Sequence, residues 1–382
     1  MTSEAWISGS SPVTGLLVAA ACPLLAGCAP TDLVTALSQR APHKVEAFTL
    51  QHHPGGGALS LSLSSPGARH DWIRKASVVT TPEALVHRDG VPVYKIRAQR
   101  GLLLGNNRLV QLDGAVELVH LQEPSTVVTG ERLRWDTRQG RMTMAINLMM
   151  ARGNMQANAG WAEFDFASTD LTLHDQVVVL DRSPQADHLR LEATTLHWNL
   201  ASGEMMAPGP VKGWQNDPGG AVQFVQGVNL TGSSRRRWLE LQAPVRLQTR
   251  RAGQWQAHGP VLWWLDRQQL ESPGLLEAQV EDLHISGRAA ALDLQQDVLT
   301  IAEDCQFRQP GEALNAQQCR WDLQEGMILA SGEVILQRDQ HQQVTRAAQL
   351  QGQLGGDNVL RLMAPPQGQV TTELELELDP SG

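Results

Sequence analysis

The chain has 382 residues, of which 42% are hydrophobic and 19% are charged, and its formal net charge is −9. This is the composition of an ordinary soluble protein with enough apolar residues for a substantial core. The mild acidity argues against a general nucleic-acid binder, which would carry an excess of basic residues. The aromatic residues are 11 Trp, 5 Phe and 1 Tyr, so the positions of the tryptophans are informative.

The first predicted elements are a signal peptide and a lipid anchor. The apolar run over residues 16–26 is too short to span a bilayer, which needs about 20 residues, but it has the length of a signal-peptide core. It ends in Leu25-Ala26-Gly27-Cys28, which matches the bacterial lipobox and predicts a signal peptide over 1–27 and lipidation of Cys28. No Lys or Arg precedes the run, and the alternative is a buried cysteine in an apolar stretch. Residues 28–58 are predicted to form a tether.

Two motifs then repeat along the chain. The first is Leu-x-Trp or a close variant, followed by a polar turn, and its tryptophans are 63, 66 and 57 positions apart. They are Trp135, Trp198, Trp264 and Trp321. The second is an alternation of apolar residues whose second member recurs after 61, 68, 60 and 61 residues, at Leu112, Leu173, Leu241, Ile301 and Leu362. Two motifs with one spacing indicate a repeat architecture.

The alternation predicts β-strands, because residues two apart in an extended chain project to the same face. Residues 59–150 are predicted to form a first β unit, and 151–370 further repeats that continue the same pair of sheets. Residues 371–382 are predicted to be an acidic C-terminal strand or a charged tail. The interior between the sheets is either filled by its own side chains or open to an apolar guest, and the sequence leaves both alternatives standing.

Three segments of the first unit carry a family resemblance. They are a strand that ends in Ala, a Leu-x-Gly-x-Val strand, and a Gly-x-x-Leu-x-Trp-Asp strand, found here at 93–98, 110–118 and 129–136. This pattern resembles the lipopolysaccharide-export bridge proteins, which comprise LptC, LptA and the OstA-like N-terminal domain of LptD. The chain is longer than LptC, like the extended LptC-like form that cyanobacteria carry.

The resemblance implies an all-β fold of repeated antiparallel strands, an elongated OstA-like β-jelly roll in which two sheets form an open V. It implies a periplasmic, membrane-anchored protein, with the inner membrane favoured, that binds acyl chains of lipopolysaccharide in an apolar groove. The lipid would come from an inner-membrane ABC transporter similar to LptB/F/G and pass to an LptA- or LptD-like partner joined through edge strands. Neither a cofactor nor a nucleic-acid partner is expected. The residues expected to line the groove are Leu112, Val116, Leu133, Leu173, Val177, Leu196, Leu241, Val245 and Leu262.

Several motifs have two interpretations. Asp136, Asn199 and Asp322 follow the repeated tryptophans, and their place before Gly favours turn chemistry over glycoside hydrolysis. Cys305 and Cys319 are predicted to point inward, either as a disulfide or as two small buried hydrophobic residues. The arginines at 235–237 and 250–251 would meet lipid phosphates or lie solvated in loops.

No catalytic or metal-ligating residue is predicted, and the chain is not expected to be an enzyme. One alternative is an envelope scaffold or adhesin stalk with a filled interior, and a weaker one is a polysaccharide-active β-solenoid enzyme.

Overall fold

The computed structural model describes residues 43–53, 60–71, 73–105, 107–122, 125–183, 189–216, 222–249, 253–339, 342–353, 360–364 and 368–373. They belong to one compact unit, His43–Gly382. Every regular element within these ranges is a β-strand, which confirms the predicted all-β fold. The same ranges contain no helix that is long and apolar enough to cross a bilayer. The predicted signal peptide, Cys28 and residues 28–42 of the predicted tether lie outside the described residues.

Within the described ranges, thirty strands follow one another. The first fifteen are β1 (His43–His52), β2 (Leu61–Asp71), β3 (Ala76–Thr80), β4 (Glu83–Arg88), β5 (Val91–Arg97), β6 (Arg100–Leu104), β7 (Leu109–His120), β8 (Thr126–Asp136), β9 (Arg141–Arg152), β10 (Met155–Asp165), β11 (Asp170–Asp181), β12 (Leu189–Asn199), β13 (Glu204–Ala207), β14 (Val211–Asn216) and β15 (Val222–Gly227). The others are β16 (Leu230–Ser233), β17 (Trp238–Leu241), β18 (Val245–Thr249), β19 (Gly253–Ala257), β20 (Val261–Trp264), β21 (Gln269–Ser272), β22 (Leu276–Val280), β23 (Leu283–Asp293), β24 (Val298–Gln309), β25 (Glu312–Ala316), β26 (Gln318–Asp322), β27 (Ile328–Arg338), β28 (Gln343–Gly352), β29 (Arg361–Met363) and β30 (Thr371–Glu373).

Every pairing is antiparallel, and most of the long strands change register near the middle. Between β7 and β8 the ladder passes from Asp113↔Arg132 to Val116↔Gly130, so two residues of β7 are left out of the pairing. Both of them, Gly114 and Ala115, have positive φ, at 82° and 44°. Extra residues of this kind bend a strand sharply. We call this bend the corner.

The same bend recurs along the chain in two forms. In β9 and β11 it coincides with consecutive positive-φ residues at 146–147 and 175–176. Elsewhere the strand breaks into two short strands, and a proline stands at several of the breaks, such as Pro82 between β3 and β4 and Pro260 between β19 and β20. Proline suits these positions because it has no N–H to give to a ladder.

The corner divides the structure into two layers. Layer I contains residues 109–113 of β7 and the strand segments joined to them by strand pairing on that side of the corner. Layer II contains residues 116–120 of β7 and the segments joined to them on the other side. Short strands belong to one layer each: β6 pairs with 109–113 and β5 with 117–120. Each long strand therefore serves both layers, as in a β-jelly roll.

The buried faces of the two layers meet. In β7 the buried residues are Val110 and Leu112 before the corner and Val116 and Leu118 after it, so folding at the corner brings both sets inside. The layers touch directly at Gly213 of layer II, where an added Cβ would lie 3.2 Å from Cζ3 of Trp263 in layer I. One continuous hydrophobic core extends from Leu61 to Leu350.

The first and last strands differ from their predictions. Residues 43–52 were expected in the tether, but they form β1, which pairs with β2 along its length. This strand was hard to predict because its side chains are mostly exposed and only Phe48 and Leu50 pack against the core. Of the predicted C-terminal strand, residues 371–373 form β30 on β28 and are exposed, and 374–382 lie outside the described residues.

The contact at Gly213 gives a test of the fold. We expect Gly213→Ala to lower the free energy of unfolding by about 1–3 kcal/mol, because the new methyl group would meet Val225 Cγ1 at 2.8 Å and Trp263 as well. Gly67→Ala is the control, since its nearest atom is the rotatable hydroxyl of Thr80 at 3.3 Å. Urea unfolding measures both, and equal stability of the two variants would contradict the close approach of the layers.

Candidate functional site

The interior between the two layers holds eight of the nine side chains predicted to line a groove. All eight are at most 5% exposed and belong to the same core: Leu112, Val116, Leu133, Leu173, Val177, Leu196, Leu241 and Val245. The ladder places them side by side, as in the pairs Leu112↔Leu133 and Leu173↔Leu196. The inward orientation predicted from the alternation of apolar residues therefore holds for these eight positions, across three repeats.

The ninth residue, Leu262, was assigned to the wrong face. In β20 the buried side chains are Val261 and Trp263, while Leu262 and Trp264 are only partly buried on the opposite face. The repeated tryptophan of this unit is therefore Trp263, 2% exposed, and not Trp264. Two adjacent tryptophans and two apolar neighbours allow either register, and a one-residue slip moves every side chain to the other face.

The interior is closely filled. An interior cavity of about 30 Å³ lies against Tyr94, Leu133 and Phe164. Two more cavities have about 10 Å³ each. Small-molecule pockets usually have about 300–1,000 Å³. An acyl chain could therefore enter only if the layers moved apart or side chains repacked.

Four buried tryptophans carry indole N–H groups that point into the protein. No hydrogen-bond partner is present among the described residues for the indole N–H of Trp135, Trp198, Trp255 or Trp263. An unsatisfied buried donor costs about 1–3 kcal/mol. These donors are free to meet an acceptor brought in by a guest.

An aromatic cluster joins the layers next to the 30 Å³ interior cavity. Tyr94 of layer II lies 5.3 Å from Phe164 and 5.0 Å from Phe166, both contributed by layer I or the turn that follows it, measured between ring centroids. His120 lies 4.9 Å from the Tyr94 ring. Burial raises the pKa of Tyr94. Burial lowers the pKa of His120, and the charges of Arg152 and Arg88 lower it further, so the imidazole is neutral at neutral pH.

Opposite the corner, the turns of layer I face the turns of layer II, and we call this side the mouth. Three polar contacts, which we call latches, cross it. Arg88 of layer II donates to the carbonyl of Phe166, and Gln215 of layer II donates to the side chain of Gln268. In the third, Arg237 of layer I donates to Asp181 Oδ2 at 2.7 Å and to Ser183 Oγ at 2.9 Å. The latches hold the mouth closed in this structure.

The disulfide left open by the sequence is present in the structure. Cys305 of β24 and Cys319 of β26 are bonded, with their Cα atoms 6.0 Å apart, and both are buried. Cys305 follows Asp304, the positive-φ residue at the corner of β24. The bond therefore crosslinks the two layers beside the corner, on the side away from the mouth.

The polar residues after the repeated tryptophans are turn residues. The Oδ1 atoms of Asp136, Asn199 and Asp322 each accept two backbone N–H groups from the following turn, at 2.7–3.2 Å. These contacts are the turn chemistry expected from the sequence. The described residues contain no group of three or more His, Cys, Asp or Glu side chains arranged to hold a metal ion.

A wide recess lies outside the interior, on the outer face of layer II. It has a volume of about 780 Å³ and is lined mainly by polar side chains such as Gln248, Gln254 and Gln279, which are ladder neighbours. It is larger than the interior cavities, and it opens to solvent on the outer face of the sheet.

The Arg237 latch gives the second test. We expect Arg237→Met to lower the free energy of unfolding by about 3 kcal/mol, because the Asp181 side chain, 1% exposed, would lose its buried ion-pair partner. Arg236→Ala is the control in the same turn, since Arg236 is exposed, and it should change stability by less than about 0.5 kcal/mol. Urea unfolding measures both, and an equally small effect in the two variants would show that the latch contributes nothing.

Comparison with known proteins bears on the N-terminal part of the chain. Residues 30–145 match the family model described as LptC: Lipopolysaccharide-assembly, LptC-related. This confirms over that segment the resemblance seen in the sequence, and the match covers less than half of the chain. The search of curated proteins gives no match.

Solved structures also match. One is the crystal structure of LptH, the LptA homologous periplasmic component of the conserved lipopolysaccharide transport device from Pseudomonas aeruginosa. The identity is 9%, the alignment covers 39% of this chain and 82% of that chain, and the TM-score is 0.22.

Proposed function

We propose that this chain is a periplasmic component of lipopolysaccharide transport that holds acyl chains between its two layers and does no chemistry itself. The observation that carries the proposal is the match of residues 30–145 to the LptC-related family model. The continuous apolar interior supports it, because that interior extends well beyond the matched segment.

The repeated interior suits the passage of a lipid. Each CH₂ group moved out of water is stabilised by about 0.8 kcal/mol, so a multi-acyl lipid needs an apolar path throughout. Leu112, Leu173 and Leu241 occupy equivalent positions in successive units and are all buried. An acyl chain that moved from one unit to the next would meet similar surroundings, so no step would be strongly uphill.

The filled interior implies that the protein has a second, open state in transport. In the closed state the apolar side chains of the two layers pack against each other, and the latches and the aromatic cluster join the layers at the mouth. A lipid would bind the open state better and shift the equilibrium toward it. Because the corner is covalently continuous and carries the Cys305–Cys319 bond, opening would occur at the mouth.

The ends of the sheet are suited to partner proteins. Among the described strands, β1 pairs only with β2, so its other edge is available for an added strand. At the other end, β29 and β30 cover only residues 349–351 and 344–346 of β28. We propose an LptB/F/G-like transporter as the source of lipid, an LptA- or LptD-like partner as its recipient, and Cys28 as the membrane anchor.

The close packing favours one alternative, an envelope scaffold whose interior never opens. It differs from the transport proposal in one observable: lipid would never contact the inward residues.

In-cell photocrosslinking separates the two functions. A photoreactive residue placed at Val116, Val177 or Val245 is expected to form lipopolysaccharide adducts that depend on ATP, because all three side chains point into the interior. The matched controls are Glu117, Val178 and Arg246, one residue further along the same strands and less buried.

Adducts at the inward positions and none at the controls would support transport through the interior. No adduct at any inward position, in protein shown to be folded by circular dichroism, would rule out transport and leave the scaffold.

A further inference from the structure

A buried arginine at the mouth has an unsatisfied charge. Arg152, the last residue of β9 in layer II, is 8% exposed, and its Nη1 atom has no hydrogen-bond partner among the described residues. The described residues also place no carboxylate within ion-pair distance of Arg152. Arg237, by contrast, is paired with Asp181 at 2.7 Å. A buried charge without a partner is costly, so this guanidinium is suited to receive an anion.

A second arginine, in a turn of the opposite layer, lies near enough to affect the charge of Arg152. Arg235 lies in the turn between β16 and β17 of layer I, and its charge is close enough to lower the pKa of Arg152, in addition to the larger effect of burial. Gly203 leaves the space that the Arg235 stem occupies, since a Cβ there would lie 2.6 Å from Arg235 Cγ. Arg235 itself is exposed, and its positive charge disfavours the charge of the buried Arg152.

Arg152 lies beside the apolar cavity next to Tyr94. Arg152 is the ladder partner of Thr126, which lines that cavity together with His120. The His120 ring is near enough for its pKa to respond to Arg152 and Arg88. Positive charge at the mouth therefore borders an apolar space further inside, which is the arrangement that an amphiphile with an anionic head requires.

We propose that Arg152 and Arg235 form a phosphate-binding site that holds the phosphorylated headgroup of a lipid whose acyl chains lie between the layers. Guanidinium groups recognise phosphate oxygens through paired, charge-assisted hydrogen bonds. The proposal rests on the proposed function for the lipid part of the ligand, while the anion site itself rests on the two arginines alone.

The test compares phosphorylated and dephosphorylated lipid. Binding of purified lipopolysaccharide, and of the same lipopolysaccharide after phosphatase treatment, is measured for the wild type, Arg152→Gln and Arg235→Ala. The wild type is expected to bind the phosphorylated form at least ~10-fold more tightly, since two charge-assisted contacts are at stake. Both variants are expected to lose this preference while still binding the dephosphorylated form.

Arg236→Ala is the matched control, because this exposed arginine lies in the same turn as Arg235 and should keep the preference. Thermal unfolding in phosphate-free buffer checks that Arg152→Gln is folded, and its melting temperature is expected to be no lower than that of the wild type. A preference that persists in Arg152→Gln and Arg235→Ala, or one that Arg236→Ala abolishes equally, would overturn the proposal.

A separate arm uses inorganic phosphate alone. Phosphate is expected to raise the melting temperature of the wild type and not of Arg152→Gln. If it does so while the wild type shows no preference for phosphorylated lipid, the site takes free phosphate and the headgroup assignment is wrong. If inward crosslinks to lipid form but the variants change nothing, the arginine site fails and the transport function stands. If no lipid crosslinks form but phosphate still depends on Arg152, the anion site stands and the transport function fails.

Discussion

The bend shared by successive strands is the constraint on which the rest of the structure depends. A flat sheet of thirty strands with one apolar face would leave that face in water. The register shifts at residues such as Gly114 and Asp304 fold each strand once, so the apolar face of one half covers that of the other. Because the bends are stacked, they also create a single mouth on the opposite side. The interior and the mouth are therefore consequences of the same local feature.

The two sides of the interior differ in how strongly they are joined. At the corner the layers are linked by the chain itself and by the Cys305–Cys319 bond. At the mouth they are linked by side chains only, through the latches and the rings around Tyr94. A few contacts of this kind contribute a few kcal/mol, which is comparable to the gain from burying several CH₂ groups of a guest. The mouth is thus the side at which the proposed lipid guest would separate the layers.

The sequence predicted the strands and most of the interior because both depend on a period of two residues. Leu112, Val116 and Leu173 could be assigned to the inside from parity alone, and they are buried. Leu262 was misassigned because β20 is short and apolar on both faces. The mouth could not be predicted, since Arg237 and Asp181 are 56 residues apart and nothing local pairs them. A nearly unburied strand such as β1 has no periodic signal either.

Two arginines at the mouth have different effects on the closed state, because different groups lie near them. Arg237 and Arg152 are both largely withdrawn from water, and both lie where the layers meet. A carboxylate faces Arg237, so its charge stabilises the closed structure. Arg152 Nη1 has no hydrogen-bond partner among the described residues, and the charge of Arg235 disfavours that of Arg152. The mouth therefore combines contacts that favour the closed state with a cationic pair that only an added anion can satisfy, and such a balance makes closure sensitive to an anionic ligand.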